Sequence, residues 1–305
     1  MLNEGLCGYV AIVGRPNVGK STLLNHLLGQ KLSITSRKPQ TTHHHLLGIK
    51  TTGNTQIIYV DTPGLHQRKH NALNRYLNRT ATNSMVGVDV IVWLVEALQW
   101  MEDDNFVKKT LAKTSAPVIL GINKIDKLAT KKALLPYLQE VATKHKFTEI
   151  YPISARKGDN LENLESKIIQ LLPVNTLLFP EDQITNRNER FLCAELVREK
   201  LVRRLGAELP YRLTVQIEHF SSEKKLTHIS AIIFVERQGQ KPIVIGSGGK
   251  VLKEVGEAAR KDMESMLGCQ VFLRLWVKVK PGWCDDERLL QQLGYQNIKQ
   301  NNLLP

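Results

Sequence analysis

Between residue 9 and about residue 172, short unbroken apolar runs alternate with stretches whose apolar positions recur at helical spacing. The runs are 9–13 (Tyr-Val-Ala-Ile-Val), 57–60 (Ile-Ile-Tyr-Val), 90–95 (Val-Ile-Val-Trp-Leu-Val), 118–122 (Val-Ile-Leu-Gly-Ile) and 150–153. Runs of that length without polar interruption fit strands buried on both faces, as in a sheet covered by helices on each side. Each is followed by a loop and then a helical pattern, the first over 22–28 with Gly29 placed to end it. The pattern predicts an α/β doubly wound, mostly parallel sheet, with Pro173 closing its last helix. It leaves the strand order open.

The pattern then changes. Residues 174–187 hold Pro180, lack periodicity and read as a linker. Beyond them a helix near 188–205, strands near 211–220 and 228–237, a glycine-rich turn, a helix over 250–266 and a period-two strand over 270–279 predict a smaller α+β unit. The expected organisation is a first domain over 1–173, the linker, a second domain over 188–282 and a tail over 283–305.

A length of 305 residues agrees with two domains. The net charge of +13 points to an acidic partner, either nucleic acid or an anionic membrane surface. The second unit is the denser positive region. It carries 17 Lys/Arg against 11 Asp/Glu over residues 188–280, whereas residues 1–187 carry 23 against 15. Cys7, Cys193, Cys269 and Cys284 have neither zinc-like nor disulfide-framework spacing, which suggests reduced thiols in a cytoplasmic protein. No apolar run approaches transmembrane length and no signal peptide is visible, so any membrane contact is expected to be peripheral.

Gly14-Arg15-Pro16-Asn17-Val18-Gly19-Lys20-Ser21 fits G-x-x-x-x-G-K-[ST], between the first strand and the first helix. That context makes it a phosphate cradle, with Lys20 for the β- and γ-phosphates and Ser21 for Mg²⁺. Asp61-Thr62-Pro63-Gly64 follows the 57–60 strand, Asn123-Lys124-Ile125-Asp126 the 118–122 strand, and Ser154-Ala155 the 150–153 strand. Asp61 is expected to hold Mg²⁺ through water and the Gly64 N–H to meet a γ-phosphate. Asn123 and Asp126 are expected to read the base. An acceptor carboxylate suits the N1–H and exocyclic amine of guanine and would be left unpaired against adenine, so the nucleotide is GTP or GDP. The Ser154-Ala155 backbone is expected to contact guanine O6.

The polar loop 33–42 has the character of a nucleotide-sensing switch. Of Thr41 and Thr42, Thr42 is expected to complete the Mg²⁺ shell. Three consecutive histidines, His43 to His45, diverge along a strand and do not make a metal site. Leu65 stands where Ras-like enzymes carry a water-orienting glutamine, so hydrolysis must rely on backbone, partner or a bound cation. Asn17, whose amide oxygen lies in the phosphate loop, points to a monovalent cation such as K⁺.

In the second unit, Ile245-Gly246-Ser247-Gly248-Gly249-Lys250 places G-x-x-G between two helices, with Lys253 one turn on. Such a loop lets an RNA backbone pass close to main-chain N–H groups, as in KH domains. G-x-x-G alone is a weak signal; the α-β-β-α-α-β order and the flanking lysines strengthen it. The chain as a whole resembles the Era family, bacterial GTPases with a C-terminal type II KH domain. Gly-Ala-Glu-Leu-Pro-Tyr at 206–211, Ala-Arg-Lys-Asp-Met at 259–263, Leu-Trp-Val-Lys-Val-Lys at 275–280 and Gly-Trp-Cys-Asp-Asp-Glu-Arg at 282–288 share in that resemblance. The resemblance implies a monomeric GTPase that binds the 3′ end of small-subunit ribosomal RNA during assembly of the 30S subunit. In it GTP promotes the RNA-bound form, and peripheral contact with the inner membrane is allowed. Related GTPases that carry this asparagine include potassium-activated members. Two rivals remain at this level: a membrane-surface regulatory GTPase whose basic domain reads anionic lipid, and a tRNA-modifying GTPase, for which no catalytic cysteine or cofactor motif is present.

Overall fold

The computed structural model describes residues 4–36, 38, 41–66, 72–206, 209–223 and 225–295. Parts of the 33–42 loop (Arg37, Pro39 and Gln40) and of the expected tail (296–305) lie outside those residues.

The first unit runs β1 (Glu4–Val13), α1 (Lys20–Leu28), β2 (Leu46–Thr52), β3 (Thr55–Asp61), α2 (Ala72–Asn83), β4 (Val90–Glu96), α3 (Glu102–Leu111), β5 (Val118–Asn123), α4 (Leu134–Ala142), β6 (Glu149–Pro152), α5 (Leu161–Leu171) and β7 (Val174–Thr176). The sheet order is β2-β3-β1-β4-β5-β6. Pairing is parallel from β3 to β6, while β2 joins β3 antiparallel. β1 explains the two-sided core. Tyr9, Ala11 and Val13 enter one apolar cluster with residues of α3 and α4, and Val10 and Ile12 enter a second with α1 and α5. Trp93 of β4 is fully buried in the first cluster, where truncation to alanine would cost about 3–5 kcal/mol.

Two findings extend the sequence reading. β2 was not among the expected strands. Its Gly48 sits where a Cβ would come within 2.6 Å of Leu28 Cδ1 and 2.9 Å of Leu24 Cδ1, so a glycine is needed to let α1 lie against the sheet. The stretch read as a linker is fastened down. β7 pairs antiparallel with Glu4–Leu6. The Gln56 side chain accepts from the N–H groups of Leu178 and Phe179 and donates to the Phe179 carbonyl. Ile49 N–H donates to the Ile184 carbonyl at 2.9 Å. Arg187 donates twice to the His45 carbonyl.

The second unit runs α6 (Glu189–Arg204), β8 (Leu213–Glu223), β9 (Leu226–Val235), α7 (Gln240–Ile245), α8 (Lys250–Leu267) and β10 (Gln270–Val279), followed by α9 (Glu287–Gln292). Asn188 caps α6, its side chain accepting from Phe191 N–H. The sheet order is β10-β9-β8, with β9 parallel to β10 and antiparallel to β8. Buried residues of α6, α8 and the sheet form one core. After β10 the chain returns to the first unit, where Trp283, Cys284, Leu290, Leu293 and Tyr295 bury against Ala72, Leu73, Tyr76 and Leu77 of α2.

Candidate nucleotide cleft and RNA interface

The sheet order reverses beside β1, whose two parallel neighbours are β3 and β4. Doubly wound folds bind ligands in the crevice at such a point. An open cleft of about 1250 Å³ lies there. Lys20, Ser21, Thr42, Asn123, Asp126 and Ala155 line it, so residues from all the expected motifs converge.

The loop before α1 needs unusual backbone. Gly14 and Gly19 have φ of 149° and 107°, and Asn17 sits left-handed at 65°, which asparagine tolerates. A Cβ on Gly19 would come within 2.3 Å of Asn123 Nδ2. Lys20 Nζ donates to the carbonyls of Gly14 and Arg15 at 3.1 and 3.0 Å, arching over the loop. Burial pulls its pKa down to about 8, opposed by the nearby Asp61 carboxylate. An anionic phosphate oxygen would reverse that cost. Arg15 points away, its Nε 3.2 Å from Asp104 and its NH2 3.5 Å from Glu96. Asp104 also accepts from Met101 N–H at the start of α3, so this arginine ties the loop to the scaffold.

Oxygen atoms gather at the first turn of α1. Ser21 Oγ lies 2.9 Å from Thr42 Oγ1 and donates to Asp61 Oδ2 at 3.1 Å; Ser33 Oγ donates to the same oxygen at 2.6 Å. Asp61 is fully buried, which raises its pKa, and its Oδ1 has no hydrogen-bond partner among the described residues. An all-oxygen set with an unsatisfied buried carboxylate oxygen fits a hard divalent cation. The two threonines differ: Thr41 Oγ1 lies 2.6 Å from Ser36 Oγ and donates to the Lys38 carbonyl, away from this cluster.

Asn123, expected to read the base, also braces the site. Its Nδ2 donates to the Val18 carbonyl at 2.7 Å, and its Oδ1 accepts from the N–H groups of Lys124 and Ala155 at 2.7 and 2.9 Å. It brackets three motifs together, with one N–H left over. The Ala155 N–H, expected on guanine O6, is used on Asn123 as well. Asp126 is held by Ser154 Oγ at 2.8 Å. Glu96, absent from the sequence reading, ends β4 and gathers Lys124 at 2.6 Å and Lys127 at 3.5 Å beside Arg15. Leu65 is buried in the core and donates its N–H to the Gly14 carbonyl, so its side chain cannot touch a water in the cleft. A Cβ on Gly64 would come within 2.7 Å of Pro16 N, which fixes glycine against the phosphate loop. Thr62 Oγ1 bonds back to the Ile12 carbonyl.

The 33–42 loop is gripped from the second unit. Glu199 of α6, fully buried, accepts from Thr35 N–H at 3.0 Å, Lys31 Nζ at 2.5 Å and Arg203 at 2.8 Å. Arg203 Nε donates to the Thr35 carbonyl, Lys38 Nζ to the Leu205 carbonyl, and Arg198 to the Thr41 carbonyl. Sequence reasoning missed these; apart from Glu199–Arg203 within α6, they join positions more than 150 residues apart. The three histidines leave the loop as buried residues. His43 Nδ1 lies 3.2 Å from the Tyr295 hydroxyl, and His44 packs on Phe191 and Tyr295.

In the second unit the expected G-x-x-G lies between α7 and α8, with Gly246, Gly248 and Gly249 all at positive φ. A Cβ on Gly246 would meet Val251 Cγ2 at 2.5 Å. Gly249 is the N-cap of α8 and offers no side chain to cap the helix's first turn, where the Lys250 N–H donates to the Ser247 carbonyl. A shallow groove of about 400 Å³ runs from Gly249 past Leu252, Lys253 and Gly256 to Arg260 and Leu275. Gly256 and Arg260 were not in the sequence reading; their spacing from Lys253 on one helix was the available signal.

Residues 9–124 match the model of the family described as 50S ribosome-binding GTPase, and residues 208–284 match a KH domain. The chain is 56% identical over 295 residues to the GTPase Era of Marinobacter nauticus, covering 97% of each, and 56% over 292 residues to that of Pseudomonas aeruginosa strain LESB58, covering 96% of each. Among solved structures it resembles Era in complex with MgGDPNP and nucleotides 1506–1542 of 16S ribosomal RNA, with a TM-score of 0.92 and 43% identity over 95% of this chain and 99% of that one. It resembles equally a single-residue variant of Aquifex aeolicus Era bound to GDP·AlF4⁻, at 42% identity, a TM-score of 0.92 and the same coverage. With cleft, G-x-x-G groove and whole-length likeness in agreement, the chain belongs to the Era family of GTPases.

Proposed function

We propose that the chain binds Mg²⁺–GTP in the first-unit cleft, hydrolyses it to GDP and phosphate, and in its GTP state holds the 3′ end of 16S ribosomal RNA, acting as an assembly factor of the small subunit. The observation that carries the nucleotide half is the Ser21–Thr42–Asp61 oxygen cluster with its unsatisfied Asp61 Oδ1. Ser21 and Thr42 would hold Mg²⁺ directly and Asp61 through water. When bound, Mg²⁺ neutralises charge between the β- and γ-phosphates. Lys20 and the loop N–H groups hold the phosphates, and Asp126, oriented by Ser154, accepts from the guanine edge. The RNA half is supported by the positive-φ glycine loop and the Lys253–Arg260 groove, and by the relative that was crystallised with MgGDPNP and the rRNA segment.

Hydrolysis proceeds without a glutamine beside the γ-phosphate, because Leu65 is in the core. Exposed Asn17 in the phosphate loop supports a K⁺ ion as the extra positive charge. No helix among the described residues is long and apolar enough to cross a membrane. The test is retention of an RNA with the sequence of nucleotides 1506–1542 by the full chain in Mg²⁺–GDPNP and in Mg²⁺–GDP. Tighter retention with GDPNP is expected, while equal retention in both would remove the nucleotide-controlled part of the reading. Replacing both Ser247 and Gly248 by Asp should abolish retention while GTP binding persists.

A further inference from the structure

The second-unit sheet carries α6 and α8 on one face; its other face is covered at the Thr214–Phe234 end by the tail and α2, and among the described residues no helix covers the stretch around Phe272. Alternation along β10 sends Leu273 and Leu275 towards the groove and sets Phe272, Arg274, Trp276 and Lys278 on the opposite face. Trp276 is 53% exposed and Phe272 44%, and among the described residues they are the only aromatics in the set of large exposed apolar side chains. They stand four residues apart on one strand, about 13 Å at the usual rise. Arg274 lies between them, its Cζ 5.1 Å from the Phe272 ring centre, with no carboxylate partner among the described residues. On the neighbouring strands, His228 packs on Phe272 and pairs across with Ser221, and Ser230 pairs with Arg274 and His219. Two carboxylates stand beside this face: Glu218, 3.7 Å from Lys278 with both half-exposed, and Glu223, paired with Leu226 at the end of β8.

From this arrangement we propose that the uncovered stretch of this second-unit sheet face is a further RNA-binding surface, on which unpaired bases stack against Trp276 and Phe272 while Arg274 and Lys278 meet phosphates. Exposed rings on a flat sheet with cations between them are what sequence-tolerant base stacking requires. Two observations favour RNA over a lipid surface. Hydrogen-bonding side chains stand beside Phe272 and Arg274, His228 and Ser230 on β9 with His219 beyond on β8, where base edges could pair, while Ile232 is the neighbour of Trp276. The face is also continuous with the groove, because β10 is the edge strand of the sheet. An RNA strand leaving the groove past Leu275 crosses that edge and reaches Trp276 next. The proposal rests on the reading of the groove as an RNA site.

The test uses the full chain with Mg²⁺–GDPNP and three variants: W276A/F272A, R274E, and the double Asp replacement of Ser247 and Gly248. The probe is the 1506–1542 RNA, with 4-thiouridine substituted for photo-cross-linking. Expected results are about tenfold weaker binding for W276A/F272A, a smaller loss for R274E, unchanged GTP binding and thermal midpoint in both, and cross-links mapping to the 272–278 segment of the unmodified chain. If the double Asp variant loses binding while W276A/F272A and R274E do not, the groove stands and the sheet-face proposal is overturned. If no variant changes RNA binding, the groove reading falls first. Loss of binding to phosphatidylglycerol vesicles, with RNA affinity intact, would assign the rings to a membrane instead.

Discussion

The guanidinium of Arg198, on the first helix of the KH unit, donates at 2.6 Å to the main-chain carbonyl of Thr41, the residue before the threonine whose hydroxyl faces Ser21. One residue further along the same helix, Glu199 holds the other limb of the same loop through Thr35. The 33–42 loop is therefore held on both limbs by the second unit.

A conservative change on this helix should uncouple the two activities. Glu199→Gln keeps the size and the Thr35 contact but removes the charge that Lys31 and Arg203 face. We predict a stability loss of about 2 kcal/mol, below the roughly 3–5 kcal/mol of a fully buried pair losing one partner, because Lys31 and Arg203 keep part of their surface in water. We also predict a shrinking of the difference in RNA affinity between the GDPNP and GDP forms, while nucleotide affinity stays within a few-fold. Thermal unfolding and filter binding in both nucleotides measure this; an undiminished nucleotide effect on RNA binding would refute the coupling.

The base preference depends on one carboxylate. Asp126→Asn should move preference from GTP towards xanthosine triphosphate, because the exocyclic amine becomes a carbonyl and needs a donor. Ser154→Ala, which frees Asp126 Oδ1, should weaken GTP binding about tenfold without changing the preferred base. Competition binding separates the two outcomes, and a GTP preference unaltered by Asp126→Asn argues against the assignment.

Phosphate release at matched ionic strength should be faster in potassium chloride than in sodium chloride. Asn17→Ala should erase that difference and leave GTP binding largely intact. Equal wild-type rates in the two salts would leave the backbone or a partner as the source of catalytic help.

Two buried histidines set an acid limit. Burial lowers the pKa of His44 and of His45 to about 4, from an unfolded value of 6.5. Between those values the unfolded chain binds more protons than the folded one, so stability rises with pH there. It is fully present above about pH 6.5 and is lost as pH falls towards 4, by up to about 3 kcal/mol per histidine. Both lie where the 33–42 loop meets α6 and the tail. Buried Trp283, whose ring centre is 5.9 Å from that of Tyr295, should report the loosening by fluorescence. His44→Phe should flatten the pH dependence between 6.5 and 4; an unchanged slope would place the acid sensitivity elsewhere.

The nucleotide motifs were legible because each is a short stretch whose geometry is local: glycine at a required φ, then a strand end, then a helix start. The buried strands of the first sheet were legible from their apolar runs, and β10 from its alternation to the residue. β2 was not, because its short apolar start, Leu46 to Ile49, runs straight into the polar Lys50-Thr51-Thr52 of an antiparallel edge strand and matches neither the buried-run nor the alternating pattern. The 174–187 stretch looked unstructured because its order comes from the Gln56 side chain and a three-residue edge strand rather than from any periodicity of its own. Asn123 was recognised by motif, yet its bracketing of Val18 and Ala155 depends on positions 105 and 32 residues away. The grip of α6 on the loop was invisible for the same reason.

Arg187, which donates to the His45 carbonyl, is immediately followed by Asn188, the cap of α6. The connection between the two domains thus has no slack at its far end. A loose tether would let the KH unit wander and would make its orientation a matter of chance encounters. Here the helix is fastened at its start, three residues past Thr42, and again along its 16 residues, where Arg198, Glu199 and Arg203 hold the 33–42 loop. The bearing of the second domain is thereby referred to the loop beside Ser21 rather than left to the length of a tether.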